Sequence, residues 1–336
     1  MLLIASDRFG AHVTPPGHPE RIERAEVFDR LAARWALRGG HAMAPTTASR
    51  AALLRVHSEH HLAAIEATAG RAAMIDSDTF TSPETAEVAQ LAAGAAVNAV
   101  EHALNAREPA LALVRPPGHH AERDRAMGFC FYNNVAVAAA HAIANGVARV
   151  AIVDIDVHHG NGTQWIFYED PRVLYVSSHQ FPFYPGTGAA TEVGEGAGAG
   201  FTVNIPLEAG ATDADYHLAY GAVVPPVFEQ FAPELVIVSA GFDAHERDPL
   251  ASMRVTTAGY ASLMARLRLW SGNGALAVVT EGGYDLTALG ECVEASIRVL
   301  DTADVPPSQA SGQPAPRGER AVAAVRAAQA PHWRGI

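Results

Sequence analysis

The sequence predicts an α/β fold built on a mostly parallel central sheet of about eight strands with helices on both faces. Three observations predict it. Short, largely apolar runs recur at 110–114, 149–153, 235–239 and 275–280, as strands buried on both faces do. Longer stretches with helical periodicity separate them, which implies βαβ units. Each run also ends in a polar cluster: Arg-Pro-Pro-Gly-His-His, Asp-Ile-Asp-Val-His-His-Gly, Ala-Gly-Phe-Asp and Glu-Gly-Gly-Tyr-Asp. Ligands of open parallel sheets bind at the carboxyl ends of the strands, so four distant segments deliver His, Asp and Tyr side chains to one rim.

The elements follow in order. Leu2–Ala5 reads as a first strand. Glu20–Leu37 is a helix with Ile22, Val27, Leu31 and Trp35 apolar between charges, started by Pro15, Pro16 and Pro19. Ser58–Ala69 is a second helix. Helix 84–105 leads to strand 110–114, and helix 133–144 to strand 149–155. A short helix at 161–168 precedes strand 172–177, and strand Phe201–Pro206 follows the glycine-rich stretch Gly194–Gly200. That stretch is expected to be a mobile surface loop, because no Gly-Lys-Ser/Thr and no helix follow it, as a phosphate cradle requires. Helices 213–230, 256–271 and 285–300 alternate with strands 235–239 and 275–280. Residues 302–319, rich in Pro, Ser, Gly and Gln, are expected to be a flexible connector before a helix at Arg320–Gln329. No linker separates the motifs, so residues 1–336 are expected to form a single domain.

The net charge of −12, from 36 acidic against 24 Lys and Arg residues, argues against general nucleic-acid binding, which needs a basic face. It suits a cationic substrate, or simply solubility. Two cysteines, Cys130 and Cys292, make no disulfide framework and fit a reducing, cytoplasmic setting. The first residues lack a signal-peptide pattern. The most apolar helix, Ala86–Leu104, contains Glu87, Gln90, Asn98, Glu101 and His102, so no membrane span is expected.

Asp154, Asp156 and His158 fall at i, i+2 and i+4, and a strand turns all three to one face. Neighbouring carboxylates repel unless a cation lies between them or one pairs with a positive group. Asp243, after another strand, can supply a third ligand. Carboxylate and imidazole donors suit Zn²⁺, and also Fe²⁺, Co²⁺ or Mn²⁺. These residue types point to a metal-assisted hydrolase. Two carboxylates offset the ion's charge, so its water is less acidic than on a tris-imidazole zinc, where the pKa is about 7. A separate base is then needed. His119 and His120 are candidates, and proton transfer by a positioned group contributes roughly 10²–10⁴-fold. Asp154 can orient one ring and Asn161 the other; the neutral Asn raises its histidine's pKa less. Tyr284, after Gly282-Gly283, can donate to an oxyanion, a contribution on the order of 3 kcal/mol.

Seven ordered motifs resemble the zinc-dependent histone deacetylase and acetylpolyamine amidohydrolase superfamily, closest to its class II-like bacterial members. They are His18-Pro-Glu-Arg21, Arg115-Pro-Pro-Gly-His-His120, Gly128-Phe-Cys-Phe-Tyr-Asn-Asn134, Asp154-Ile-Asp-Val-His-His-Gly-Asn-Gly162, Tyr184-Pro-Gly-Thr-Gly188, Gly241-Phe-Asp-Ala244 and Glu281-Gly-Gly-Tyr284. The resemblance implies an arginase/deacetylase-like fold, with zinc on Asp156, His158 and Asp243. It implies His120 as general base and then acid, with His119 as its electrostatic partner. Asp154 and Asn161 would orient the rings, and Tyr284 would polarise the amide carbonyl. Gly128, Phe129 and Tyr184 would wall a tunnel for the acyl-amine stem; the family usually has Phe where Tyr184 stands. The resemblance also implies structural K⁺ at Asp154, Asp156, His158, Ser177 and Ser178, and a second K⁺ around Phe167, Asp170 and Val173. Arg24 matches the arginine of the acetate-release channel.

Leu250 stands at the gatekeeper position, where a Glu would favour a polyamine, and the segment from His179 to Pro185 is short. Both features favour an acyl-lysine over an acetylpolyamine. The rivals are a non-catalytic reader of acylated amines, which would have lost a ligand or Tyr284, and a dinuclear Mn²⁺ ureohydrolase, which needs more metal ligands than these motifs hold.

Overall fold

Successive residues of the apolar runs turn to opposite sides of one sheet, as the two-residue period of a strand requires. The structure, a computed structural model, describes residues 1–272, 274–303, 310 and 312–336. Its strands are β1 (Leu2–Ile4), β2 (His41–Met43), β3 (Ala73–Met74), β4 (Phe80–Thr81), β5 (Ala110–Ala112), β6 (Val150–Asp154), β7 (Val173–Gln180), β8 (Thr202–Leu207), β9 (Leu235–Ala240) and β10 (Ala275–Thr280). Its helices are α1 (Glu23–Leu37), α2 (Arg50–Leu53), α3 (Glu59–Glu66), α4 (Thr85–Ala106), α5 (Asn134–Ala144), α6 (Asn161–Ile166), α7 (Asp213–Phe231), α8 (Thr257–Ser271), α9 (Leu286–Thr302) and α10 (Pro316–Gln329).

Eight strands form one parallel sheet in the order β2-β1-β5-β10-β9-β6-β7-β8, and β3-β4 is a separate antiparallel hairpin. Ala151, Val153, Val236, Val238, Leu276 and Val278 enter one core with α1, α7, α8, α9 and α10. The alternate residues Val150, Ile152, Leu235, Ile237, Ala275 and Ala277 enter the other with α2, α3, α4 and α5. Helices therefore cover both faces, and the expected fold class is the observed one.

The departures have local causes. Helix α1 begins at Glu23 rather than Glu20, because the Glu20 carboxylate turns inward to Arg24 and Arg115. Strand β7 runs on to Gln180, past the expected end at 177. Its polar Ser177, Ser178 and His179 are buried yet satisfied, Ser177 Oγ on His179 Nδ1 and Ser178 Oγ on Tyr220 OH. The Gly194–Gly200 stretch is not all at the surface: Gly198 and Gly200 are buried, and the Trp333 indole N–H donates to the Gly200 carbonyl. The expected connector at 302–319 is shorter than that, since α10 starts at Pro316, a residue pre-set for a first helical turn. Within it, residues 304–309 and 311 lie outside the described residues. The edge strand β2, helix α2 and the β3-β4 hairpin have too few residues to carry a readable period.

Candidate active site

Strands β5, β10, β9 and β6 are neighbours in that order, and their carboxyl ends release the four polar clusters side by side. Ligand atoms of Asp156, His158 and Asp243 lie within 4.8 Å of one another. His158 Nδ1 is 3.2 Å from Asp156 Oδ1 and 3.2 Å from Asp243 Oδ2. Backbone N–H groups fix the carboxylates: His158 N donates to Asp156 Oδ1, Gly282 N to Asp156 Oδ2 and Val157 N to Asp243 Oδ1. Asp243 Oδ2 is buried with no hydrogen-bond partner. A buried carboxylate oxygen left in this state is costly without a cation.

Charge says the same. Burial alone lowers an imidazole, but Asp156 and Asp243 outweigh it and push His158 up to about 10. Burial and the charge of Asp156 push Asp243 up to about 7. Two oxygens and one imidazole nitrogen, all attracting positive charge, are a donor set that fits a divalent Zn²⁺, Fe²⁺ or Co²⁺. Gly282 leaves the room: a Cβ there would lie 2.2 Å from Asp243 Oδ2 and 2.7 Å from Asp156 Oδ2.

The tandem histidines are oriented as expected. His119 Nδ1 is 3.1 Å from Asp154 Oδ2, and His120 Nδ1 is 2.8 Å from Asn161 Oδ1. Burial lowers both rings. At His119 the charges of Asp156 and Asp154 overcome it and raise the value to about 10. At His120 burial is reinforced by the charges of His119 and His158, which hold the ring well below the usual range. The two rings, 4.0 Å apart, thus differ as a charged and a neutral imidazole. Asn161 is itself fixed, its amide donating to Glu122 Oε1 at 2.7 Å.

A cavity of about 210 Å³ opens onto this cluster. His120, His158, Gly128, Phe129, Tyr184, Leu250 and Tyr284 all line it, with Asp78 and Phe183 in addition. Phe183 stacks on the His158 ring at 5.5 Å, and Tyr184 meets His120 edge-on at 5.2 Å. Phe129 holds a left-handed backbone (φ 68°) and meets Tyr284 edge-on at 5.8 Å. Gly128 before it admits the His120 ring, which a Cβ would approach to 2.5 Å. Burial pushes the Tyr284 phenol well above its usual value, so it stays a donor.

The remaining expected residues are near but differently engaged. Arg24 is fully buried and donates to Glu20 and to the carbonyls of Glu281 and Gly283, clamping the loop that carries Tyr284. Asp154 also accepts from Tyr175 OH. Ser177 and Ser178 lie at the carboxyl end of β7 beside β6. Phe167, Asp170 and Val173 share one turn, with Asp170 N bonded to Phe167 O and Val173 N to Asp170 O, while the Asp170 carboxylate pairs with Arg172.

Three buried carboxylates had no role assigned from the sequence. Glu281 accepts from the backbone N–H of Gly118 and His119 and from Ser239, bracing the histidine loop. Asp248 accepts from Tyr284 N. Glu20 takes a two-point bond from Arg115. Glu281 directly follows an apolar run, the same signal that marked its neighbours.

The histone deacetylase domain family matches residues 18–300. A probable deacetylase of Archaeoglobus fulgidus is 40% identical over 291 residues, covering 84% of this chain and 81% of that protein. A probable deacetylase of Methanothermobacter thermautotrophicus is 43% identical over 304 residues, 89% of each. Human polyamine deacetylase HDAC10 is 39% identical over 334 residues, 95% of this chain but 49% of that protein, so the chain spans about half of that relative's length. The crystal structure of the HDA15 HD domain aligns with a TM-score of 0.91 at 38% identity, over 99% of this chain and 96% of that one. Matched from the first motif through α9, and aligned over nearly all its length, the chain belongs to the histone deacetylase and acetylpolyamine amidohydrolase superfamily.

Proposed function

We propose that the chain, acting as one unit over 1–336, is a metal-dependent amidohydrolase that removes an acetyl or other short acyl group from an acyl-lysine side chain. The observation that carries the reading is the cluster of Asp156, His158 and Asp243, with Asp243 Oδ2 buried and accepting no hydrogen bond, under a cavity walled by His120 and Tyr284. Asp156, His158 and Asp243 would hold the ion, zinc first and iron or cobalt as substitutes; bound there, it polarises the amide carbonyl and acidifies water.

The chain's own groups do the rest. His120 commits Nδ1 to Asn161, which leaves Nε2 to take the proton of the attacking water. The same ring then gives that proton to the leaving amine, which departs neutral. His119, kept charged by Asp156 and Asp154, supports negative charge growing nearby. The Tyr284 hydroxyl donates to the carbonyl oxygen as it becomes an oxyanion. Phe129, Phe183 and Tyr184 enclose the acyl-amine stem and keep water from it.

Structural potassium is part of the reading, at Asp154, Asp156, His158, Ser177 and Ser178, and in the turn of Phe167, Asp170 and Val173. Its support is that two successive turns, Asp170 N on Phe167 O and Val173 N on Asp170 O, hold those three residues in one short segment. Two buried free thiols support a cytoplasmic setting. Among the described residues no helix is long and apolar enough to cross a membrane. Leu250 at the cavity rim, apolar where a Glu would favour a polyamine, supports acyl-lysine over polyamine, with Asp78 on the same cavity as its one lining carboxylate among the described residues. The resemblance to a polyamine deacetylase supports the second reading.

A panel of acetyl- and propionyl-lysine peptides beside acetylated polyamines, with and without chelator, tests this. Acetyl-lysine is expected to give the highest kcat/KM, and chelation to abolish turnover until zinc is restored. Tyr284→Phe is expected to lower kcat by about 10²-fold with metal content intact. A wild-type rate in that variant removes Tyr284 from the reaction, and a higher kcat/KM on acetylpolyamine overturns the substrate assignment.

A further inference from the structure

Asp248 stands on the loop after β9, and its carboxylate reaches two pieces of chain at once. Oδ2 accepts from the backbone N–H of Tyr284 at 2.7 Å and from Asp285 at 3.4 Å. Oδ1 accepts from Leu250 N at 3.0 Å. The side chain is 7% exposed, and its own N–H donates to the His245 carbonyl. One oxygen therefore holds the residue that faces the substrate carbonyl, and the other holds the residue at the cavity rim.

We propose that Asp248 is a positioning residue for deacylation: it ties the backbone of Tyr284 to the rim loop and so fixes where the phenol lies. Three features make the tie specific. The Tyr284 backbone follows two glycines, Gly282 and Gly283, the latter at φ 124°, so the loop has little stiffness of its own. The hydrogen bonds of Arg24 end at the Gly283 carbonyl and its guanidinium lies 5.2 Å from the centre of the Tyr284 ring, so Arg24 supports the ring while Asp248 holds the backbone N–H. Both acceptor oxygens are used, so no singly accepting side chain can replace them. Asn presents one oxygen and one N–H₂ group, and the N–H₂ must face a backbone N–H, breaking one of the two ties.

The inference rests on Tyr284 donating to the carbonyl, and the test separates the two ideas. Single-turnover and steady-state kinetics of Asp248→Asn, Tyr284→Phe and the double variant are compared on one acetyl-lysine peptide, with metal content measured for each. Asp248→Asn is expected to lower kcat about tenfold, with KM and metal content near wild type. In the Tyr284→Phe background the same change is expected to lower kcat less than about twofold, because the group it positions is gone. A full tenfold loss in that background, or an unchanged kcat in Asp248→Asn alone, overturns the proposal while leaving the function standing. A wild-type rate in Tyr284→Phe removes Tyr284 from the reaction and overturns this proposal with it, while the substrate panel still decides the deacylase reading. Should Asp248→Asn not fold, Asp248→Glu carries the same cycle, since it keeps both oxygens but displaces them by one methylene.

Discussion

Gly282 owes its lack of a side chain to its neighbours: two carboxylate oxygens occupy the place a Cβ would take. Gly282→Ala is therefore expected to push Asp243 and Asp156 apart and to lose the bound metal, read by elemental analysis, while far-ultraviolet circular dichroism stays that of the wild type. At this scale the sequence was legible wherever chemistry sits in the side chain itself. The candidate ligands Asp156, His158 and Asp243, the pair His119-His120 and Tyr284 each follow an apolar run and lie together at one rim. Glu281 lay in a marked cluster but its role was not legible, and Asp248 and Glu122 were not legible as parts of the site. Each acts by accepting a hydrogen bond from a backbone N–H or an amide, and such partners leave no pattern in a sequence. Phe183 was hidden by the resemblance, which directs attention to Tyr184 beside it.

Among the elements, the buried strands could be read and the edges could not. A central strand declares itself by an unbroken apolar run; an exposed three-residue strand such as β2 has nothing to declare. Helix α7 shows the reverse case, continuing through Pro225 and Pro226 because its apolar face is held in the core on both sides of them. Helix α3 is tied to the segment bearing Phe129 by two stacked histidines. His57 lies 4.8 Å from His61, with Nδ1 on the Glu122 carbonyl and Nε2 accepting from Asn133 N. Burial, helped by the charge of His61, brings His57 down to about 3 from 6.5. The native state then stays unprotonated where the unfolded chain binds a proton. Stability from this group is complete above pH 6.5 and is lost as pH falls toward 3, by about tenfold in the folding constant per unit. Denaturant midpoints measured from pH 7 to 4 are expected to fall less steeply in His57→Gln than in the wild type.

For the whole molecule, the fold class followed from alternation alone, since a parallel sheet must be crossed by helices and covered on both faces. The strand order did not, because periodicity says which runs are strands and nothing about which lie side by side. The charge of −12 acts at this scale too. The field of an acidic protein draws cations, and it is screened as the Debye length shrinks from about 10 Å at 0.1 M salt to about 3 Å at 1 M. Lysine-rich acetylated peptides are expected to lose several-fold in kcat/KM over that range, about threefold or more, while an uncharged acetylated peptide changes little. Equal salt responses for the two peptides would leave the charge with no part in substrate capture.

Among the described residues β10 is the last strand to be synthesised, yet it lies between β5 and β9. Until residues 275–280 emerge from the ribosome, the nascent chain can hold only two half-sheets with no seam between them. Tyr284 leaves the exit tunnel just after that seam, and so the last piece of the candidate site arrives with the strand that lies between the halves. A chain halted before it would already carry both histidines and all three candidate ligands, on half-sheets with no strand between them.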